Sequence, residues 1–505
     1  MKYASYTQDN EFTYIKNDYV DLNKYKKANV KMVDIPKYED IKHMLPKPVW
    51  EGHSDVVDCY YRAWEIAFSN LSNPNTESGF VSPFIDTAFN GNLFMWDSSF
   101  ILMFGKYARH IFDFQQTLDN FYALQHKDGF ISREINETDG TERFSRHDPV
   151  STGPNIMAWC EYEYYLFTGD KSRLEKIYHP LLAYHQWMKE NRTWMDGSYW
   201  SSGFGCGMDN APRLETKYNR KFSNGHMVWV DACFQAILSC DLLIKFASFL
   251  GIDDGVSELE EERAELTDYV NSKLWDEKTG YYYDLYKNGT LNMVKSLASY
   301  WALVSGAVPE ERIDKFVAHL DNENEFKRPH RVPTLSYDNE FYSDDGNYWC
   351  GSVWAPTNYM VLKGLQRCGY YSLAHEIALN NVMNVTKCYK ETGTLWENYA
   401  PEYCGKGVIA KKEFVGWTGI MPISVLIEYV FGINYNCESN TVVWYINLDE
   451  KHGVENLTFS DGTVASFVRN ESNGEFSVED LEIKSNKPLT VKVVANGSDH
   501  TIYIK

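Results

Sequence analysis

Apolar positions recur along most of the chain at helical spacing. In the run Val56–Phe68, residues Val57, Tyr60, Tyr61, Trp64 and Phe68 fall at i, i+3, i+4, i+7 and i+11, which predicts a long amphipathic helix. Similar patterns predict helices over Ser98–Phe112, Phe114–Gln125, Pro154–Phe167, Arg173–Glu190, Met227–Leu250 and Ser257–Leu274. They continue over Lys295–Val304, Glu310–Leu320, Ala355–Gln366, Ser372–Val385 and Gly419–Tyr429, joined by Gly-, Asp- and Trp-rich loops. Roughly twelve helices with no short solenoid repeat fit an all-α (α/α)6 barrel, six inner helices ringed by six outer ones. Helix count alone leaves a helical-repeat superhelix open.

The pattern differs at both ends. Residues 1–50 are polar, Lys- and Tyr-rich and weakly periodic, and predict an arm or cap on a barrel spanning 51–436. From 437 to 505 short β-branched stretches, such as Thr441–Ile446, Leu489–Val494 and Thr501–Ile504, are separated by turn signals, including Ser460-Asp461-Gly462. These predict a small C-terminal all-β, sandwich-like domain.

Composition narrows the partners. A net charge of −21 repels a phosphate backbone and an anionic membrane surface, so neither nucleic acid nor membrane is expected as a partner. Aromatics reach 15%, with 36 Tyr and 15 Trp, which suits both a helical core and stacking on the C–H faces of a small carbohydrate. The ten cysteines form no CxxC pair, so no metal or other cofactor is expected. With no apolar leader and no long apolar span, a cytoplasmic location is expected.

The loops dense in Trp, Gly and carboxylates hold the candidate chemistry. A loop Asp beside Gly and Pro is ordinarily a turn or cap, and local chemistry alone does not single out one carboxylate. Glycoside hydrolysis nevertheless needs such a pair: one acid protonates the leaving oxygen, and a second carboxylate activates water or attacks the anomeric carbon.

Five segments occur in one order: Trp96-Asp97-Ser98, Gln125…Asp128-Gly129, Gly207-Met208-Asp209-Asn210-Ala211-Pro212-Arg213, Tyr348-Trp349…Trp354-Ala355-Pro356-Thr357-Asn358-Tyr359, and Glu397-Asn398-Tyr399. Together they resemble glycoside hydrolase family 63 and its mannosylglycerate/glucosylglycerate hydrolase-like relatives, with family 37 trehalases as more distant kin. The resemblance runs from about Tyr60 to Phe431 and implies an inverting α-glycosidase on an (α/α)6 barrel, acting on an α-glucoside or α-mannoside. By motif, Asp209 resembles the general acid and Glu397 the general base. Asp97 resembles the carboxylate that holds sugar hydroxyls, and Trp96, Gln125, Arg213, Trp349 and Trp354 resemble substrate-binding positions. Cys350 stands where Arg is usual and Ala211 where Ser is frequent, which bears on the substrate more than on the reaction. Two other readings remain: an epimerase or lyase, for which His126 is the candidate proton shuttle, and a non-catalytic carbohydrate-binding protein.

Overall fold

The computed structural model describes residues 15–87, 90–459, 461–471, 476–495 and 497–505. Helices dominate it up to residue 430, and they are of two kinds. Every residue of Met95–Gly105 and of Met421–Val430 is buried, whereas Val256–Tyr269 buries only Leu259, Glu262 and Leu266. A helix apolar all round belongs inside, and one with a single apolar stripe belongs outside.

The two kinds alternate along the chain. Met95–Gly105 packs on Met157–Thr168, which packs on Val230–Leu250, which packs on Trp301–Ser305. Trp301–Ser305 packs on Ala355–Arg367, then Thr418–Ile420 and the π-type helix Met421–Val430 return to Met95–Gly105. The contacts therefore close into a ring. Between these helices in sequence come Lys171–Asn191, Val256–Tyr269 and Tyr371–Thr392, which lie against them with their outer faces in solvent. Val230–Leu250 has the length and mean hydropathy (1.6) of a membrane span, but 67% of that window is buried in the ring.

Several predicted helices differ in detail. Phe114–Gln125 is a 3-10 turn, Phe114–Leu118, running into a short α-helix, Asp119–Ala123. The helix expected from Ser98 begins at Met95, with Phe94 as its N-cap, so Asp97 lies in the first turn and is no cap.

The C-terminal unit holds two four-stranded sheets. One orders Ile433–Asn436, Thr441–Ile446, Leu489–Ala495 and Ser498–Ile504, with the middle pair parallel. The other orders Lys47–Trp50, His452–Thr458, Val464–Arg469 and Leu481–Ser485, all antiparallel. Trp444 of the first sheet meets Phe467 of the second edge-on, with ring centroids 6.0 Å apart. Lys47–Trp50 was expected to belong to the N-terminal arm, and Ile433–Asn436 to the helical domain. Both pair into this unit, because a short strand satisfies its backbone only beside another.

The rest of the described arm lies on the helices. Asn23 Nδ2 donates to the carbonyl of Tyr122 and to Gln125 Oε1, both at 2.9 Å, and the Lys127 carbonyl accepts from the Asn17 amide.

Candidate active site

Residues at or just before the N-termini of Met95–Gly105, Met157–Thr168 and Thr418–Ile420 help to line a cavity of about 330 Å³. Trp96, Asp97, Asp209 and Trp349 line it, as does Tyr348. Glu397 reaches the same place through Tyr348, whose hydroxyl donates to Glu397 Oε1 at 3.1 Å.

Local backbone geometry explains the motif glycine at 207. It adopts φ 79°, and a Cβ there would come within 3.0 Å of Trp96 Cε2, so the indole lies flat against the turn that presents Asp209. The next residue after Asp209 joins two loops: Asn210 Oδ1 accepts from the Trp349 amide at 2.8 Å, and Asn210 Nδ2 donates to the Asn347 carbonyl at 3.1 Å. Tyr348 itself sits at φ 58°, a conformation that a non-glycine residue holds only where its surroundings enforce it. The Trp354 indole N–H donating to the Tyr348 carbonyl at 3.2 Å is part of that enforcement.

The three carboxyls feel one another. Burial among the walls pushes Asp209 up to about 6, countered by Arg133 and Lys221. Burial also pushes Glu397 up to about 7, against the Lys411 amide and the Tyr348 hydroxyl, which favour its ionised form. Asp97 is held well above the usual carboxylate range, first by burial and then by the charge of Glu397. Asp97 Oδ1 and the Trp96 indole N–H are buried without a hydrogen-bond partner. Orphaned polar atoms beside a cavity are what a ligand rich in hydroxyls would satisfy.

Glu397 and Asp209 differ in how they are held. Glu397 Oε2 accepts from the Lys411 amide at 3.0 Å and Oε1 from Tyr348, while Trp417 Nε1 fixes its carbonyl at 2.9 Å. Among the described residues, no hydrogen bond from another residue reaches the Asp209 carboxyl.

Three expected substrate contacts take other roles. Gln125 is fully buried, accepting from Asn23 and donating to the carbonyls of Gly129 (3.0 Å) and Pro180 (2.8 Å), so it anchors the arm. Arg213 is 1% exposed and clamped between Asp231 and Asp284 at 2.6–2.9 Å, under the Trp229 ring. Trp354 stands behind Trp349, the two rings parallel at 3.9 Å, and props it instead of facing the cavity. His126 is engaged as well: Nε2 lies 2.5 Å from Glu142 Oε1 and Nδ1 lies 3.4 Å from Arg146 Nη1.

Sequence reasoning passed over Arg133, Glu134, Phe144, Phe204 and Trp417, all of which line the cavity. Arg133 lies over the rings of Phe144 and Phe204, 5.5 and 5.3 Å from their centroids, and donates to the Phe204 carbonyl. Arg133, Glu134 and Trp417 stand in loops already notable for their residue types. Phe144 and Phe204 carried no signal, because only the fold brings them to Arg133.

Carboxyls of raised pKa set among indole rings and orphaned polar atoms are the equipment of a glycosidase. Residues 91–411 match the profile of the mannosylglycerate hydrolase MGH1-like glycoside hydrolase domain, and the chain belongs to that family, within glycoside hydrolase family 63. An uncharacterized protein of Borreliella burgdorferi is 28% identical over 72% of this chain and 76% of its own length. A probable mannosyl-oligosaccharide glucosidase of Schizosaccharomyces pombe is 23% identical over 50% of this chain and 34% of its own. Among solved structures, the family 63 mannosylglycerate hydrolase of Thermus thermophilus, in complex with glucose, superposes with a TM-score of 0.58. That match has 20% identity and covers 72% of this chain and 98% of the other.

Proposed function

We propose that the closed ring of helix pairs is an (α/α)6 barrel and that the enzyme hydrolyses an α-glycosidic bond of a small glycoside with inversion. Asp209 protonates the leaving oxygen, and Glu397 deprotonates the attacking water. The observation that carries the assignment is the contrast in hydrogen bonding. Two donors converge on the Glu397 carboxylate and stabilise its charged, proton-accepting form. Among the described residues none comes from another residue to Asp209, which favours the neutral, proton-donating form. Their pKa values, about 7 and about 6, differ too little to rank the roles.

Asp97 and the Trp96 indole N–H bind hydroxyls of the sugar on the glycone side, and Trp349 offers it a ring face. A cavity of about 330 Å³ is at the small end for ligand sites, which supports a small glycoside. Relatives named mannosylglycerate hydrolase and mannosyl-oligosaccharide glucosidase point to mannosides and glucosides. All ten cysteines are unpaired, which supports a reducing compartment.

The test is a panel of α-linked disaccharides and glycosylglycerates with the product anomer followed by NMR. Release of the β-anomer first is expected. Initial release of the α-anomer overturns inversion, and binding without hydrolysis across the panel overturns the catalytic reading.

A further inference from the structure

Apart from the residues that line the cavity, three side chains from three helices converge in the protein interior. His185 comes from Lys171–Asn191, Cys240 from Val230–Leu250 and Glu262 from Val256–Tyr269. They are 1%, 0% and 5% exposed. His185 Nε2 lies 3.4 Å from Cys240 Sγ and 3.3 Å from Glu262 Oε2, and all three donor atoms fall within 4.8 Å of one another.

We propose that His185, Cys240 and Glu262 form a binding site for a divalent transition metal, zinc by the character of its donors. Zinc takes thiolate, imidazole and carboxylate at about 2.0–2.3 Å in a tetrahedron, whose edges are then about 3.3 Å for N···O and about 3.6 Å for N···S. The two separations from His185 Nε2 already have those lengths, so binding needs little rearrangement at the histidine.

The surroundings support each ligand as metal sites require. His185 Nδ1 is engaged by Ser239 Oγ at 3.0 Å and Asn155 Nδ2 at 3.3 Å, so Nε2 is the ring nitrogen that faces Cys240 and Glu262. Tyr199 donates its hydroxyl to Glu262 Oε1 at 2.5 Å and so aims Oε2 inward. Lys189 Nζ lies 3.0 Å from that same Oε2, but its side chain is 47% exposed and free to swing outward, which opens a fourth position to water.

The exchange conserves charge. Without metal, an imidazolium faces a carboxylate beside a neutral thiol, and the three sum to zero. Metal binding forms the M–N, M–S and M–O bonds, breaks Nε2–H and S–H, and releases two protons to solvent. A dication with a thiolate and a carboxylate again sums to zero, so no net charge is buried. The bound ion would tie two outer helices to the inner helix between them.

The experiment uses the full chain, stripped by chelator and dialysed against Co²⁺ or Zn²⁺. Expected results are one equivalent of Co²⁺ with a thiolate-to-cobalt charge-transfer band, and a higher melting temperature with Zn²⁺. Cys240→Ser should abolish the band, while Cys233→Ser, also buried on that helix, keeps it. If stripped wild-type protein shows no band and no shift in melting temperature, the cluster is an ion pair and the proposal fails. It fails equally if folded Cys240→Ser retains the band. Should Cys240→Ser not fold, Glu262→Gln decides instead: it must weaken Co²⁺ binding at least tenfold, and unchanged affinity overturns the site.

Discussion

Tyr348 holds Glu397 through a hydrogen bond of 3.1 Å from a backbone at φ 58°. This strained tyrosine delivers a donor to the candidate base, and its neighbour Trp349 forms the wall. In Tyr348→Phe the strain stays and the hydrogen bond goes. A hydrogen bond to a charged group is worth about 1.5–3 kcal/mol, so kcat at neutral pH should fall roughly 10–100-fold. The alkaline limb of the rate profile should move up by about one pH unit, because the higher of the two values is that of Glu397, which loses a group that favours its ionised form. An unmoved limb would show that Glu397 is not the titrating base.

Asp209→Asn should lower turnover of a natural glycoside by about 10²–10⁴-fold with the fold intact by circular dichroism. A glycosyl fluoride, whose leaving group needs no proton, should be spared most of that loss. Equal losses on both substrates would place the general acid elsewhere.

The two carboxyls titrate near each other, Asp209 at about 6 and Glu397 at about 7. The productive form needs one proton shared between the pair, so kcat/KM should trace a narrow bell with its maximum between those values. A plateau extending to pH 9 would contradict this pairing.

Stability carries the opposite sign to activity at position 397. The folded protein holds this proton up to about pH 7, against about 4.5 for an unperturbed glutamate, so the folded state binds more protons than the unfolded chain in that window. The stability from this group is complete below pH 4.5 and is lost as the pH rises to 7. Above that the ionised carboxylate costs on the order of 3 kcal/mol. Glu397→Gln should therefore melt higher than wild type at pH 8 and no higher at pH 4. Equal melting temperatures at pH 8 would contradict a raised pKa.

Gln125→Ala and Arg213→Met should damage stability in preference to substrate affinity. Removing Gln125 leaves Asn23 and two buried carbonyls without their partner, at about 1–3 kcal/mol. Removing Arg213 strands Asp231 and Asp284 as buried charges, at about 3–5 kcal/mol. Melting temperatures should drop in both, most in Arg213→Met, with KM within about twofold in whatever stays folded. A large rise in KM for Gln125→Ala would return it to the substrate site.

The helices, the late change to strands and the carboxylate-bearing loops were legible in the sequence, because apolar periodicity and turn residues act over a few positions. The family resemblance then singled out Asp209 and Glu397, which local chemistry could not rank. What the chain alone could not decide was which side of a motif faces the cavity. Arg213 and Trp354 sit in the same motifs as the cavity residues Asp209 and Trp349, yet Arg213 meets Asp284, and Gln125 meets Asn23, only through the fold. The pairing of Lys47–Trp50 with His452–Thr458, some 400 residues on, was equally unreadable. So was the convergence of His185, Cys240 and Glu262. Periodicity determines which residues are buried, but burial beside a particular partner is set by how whole helices and sheets pack.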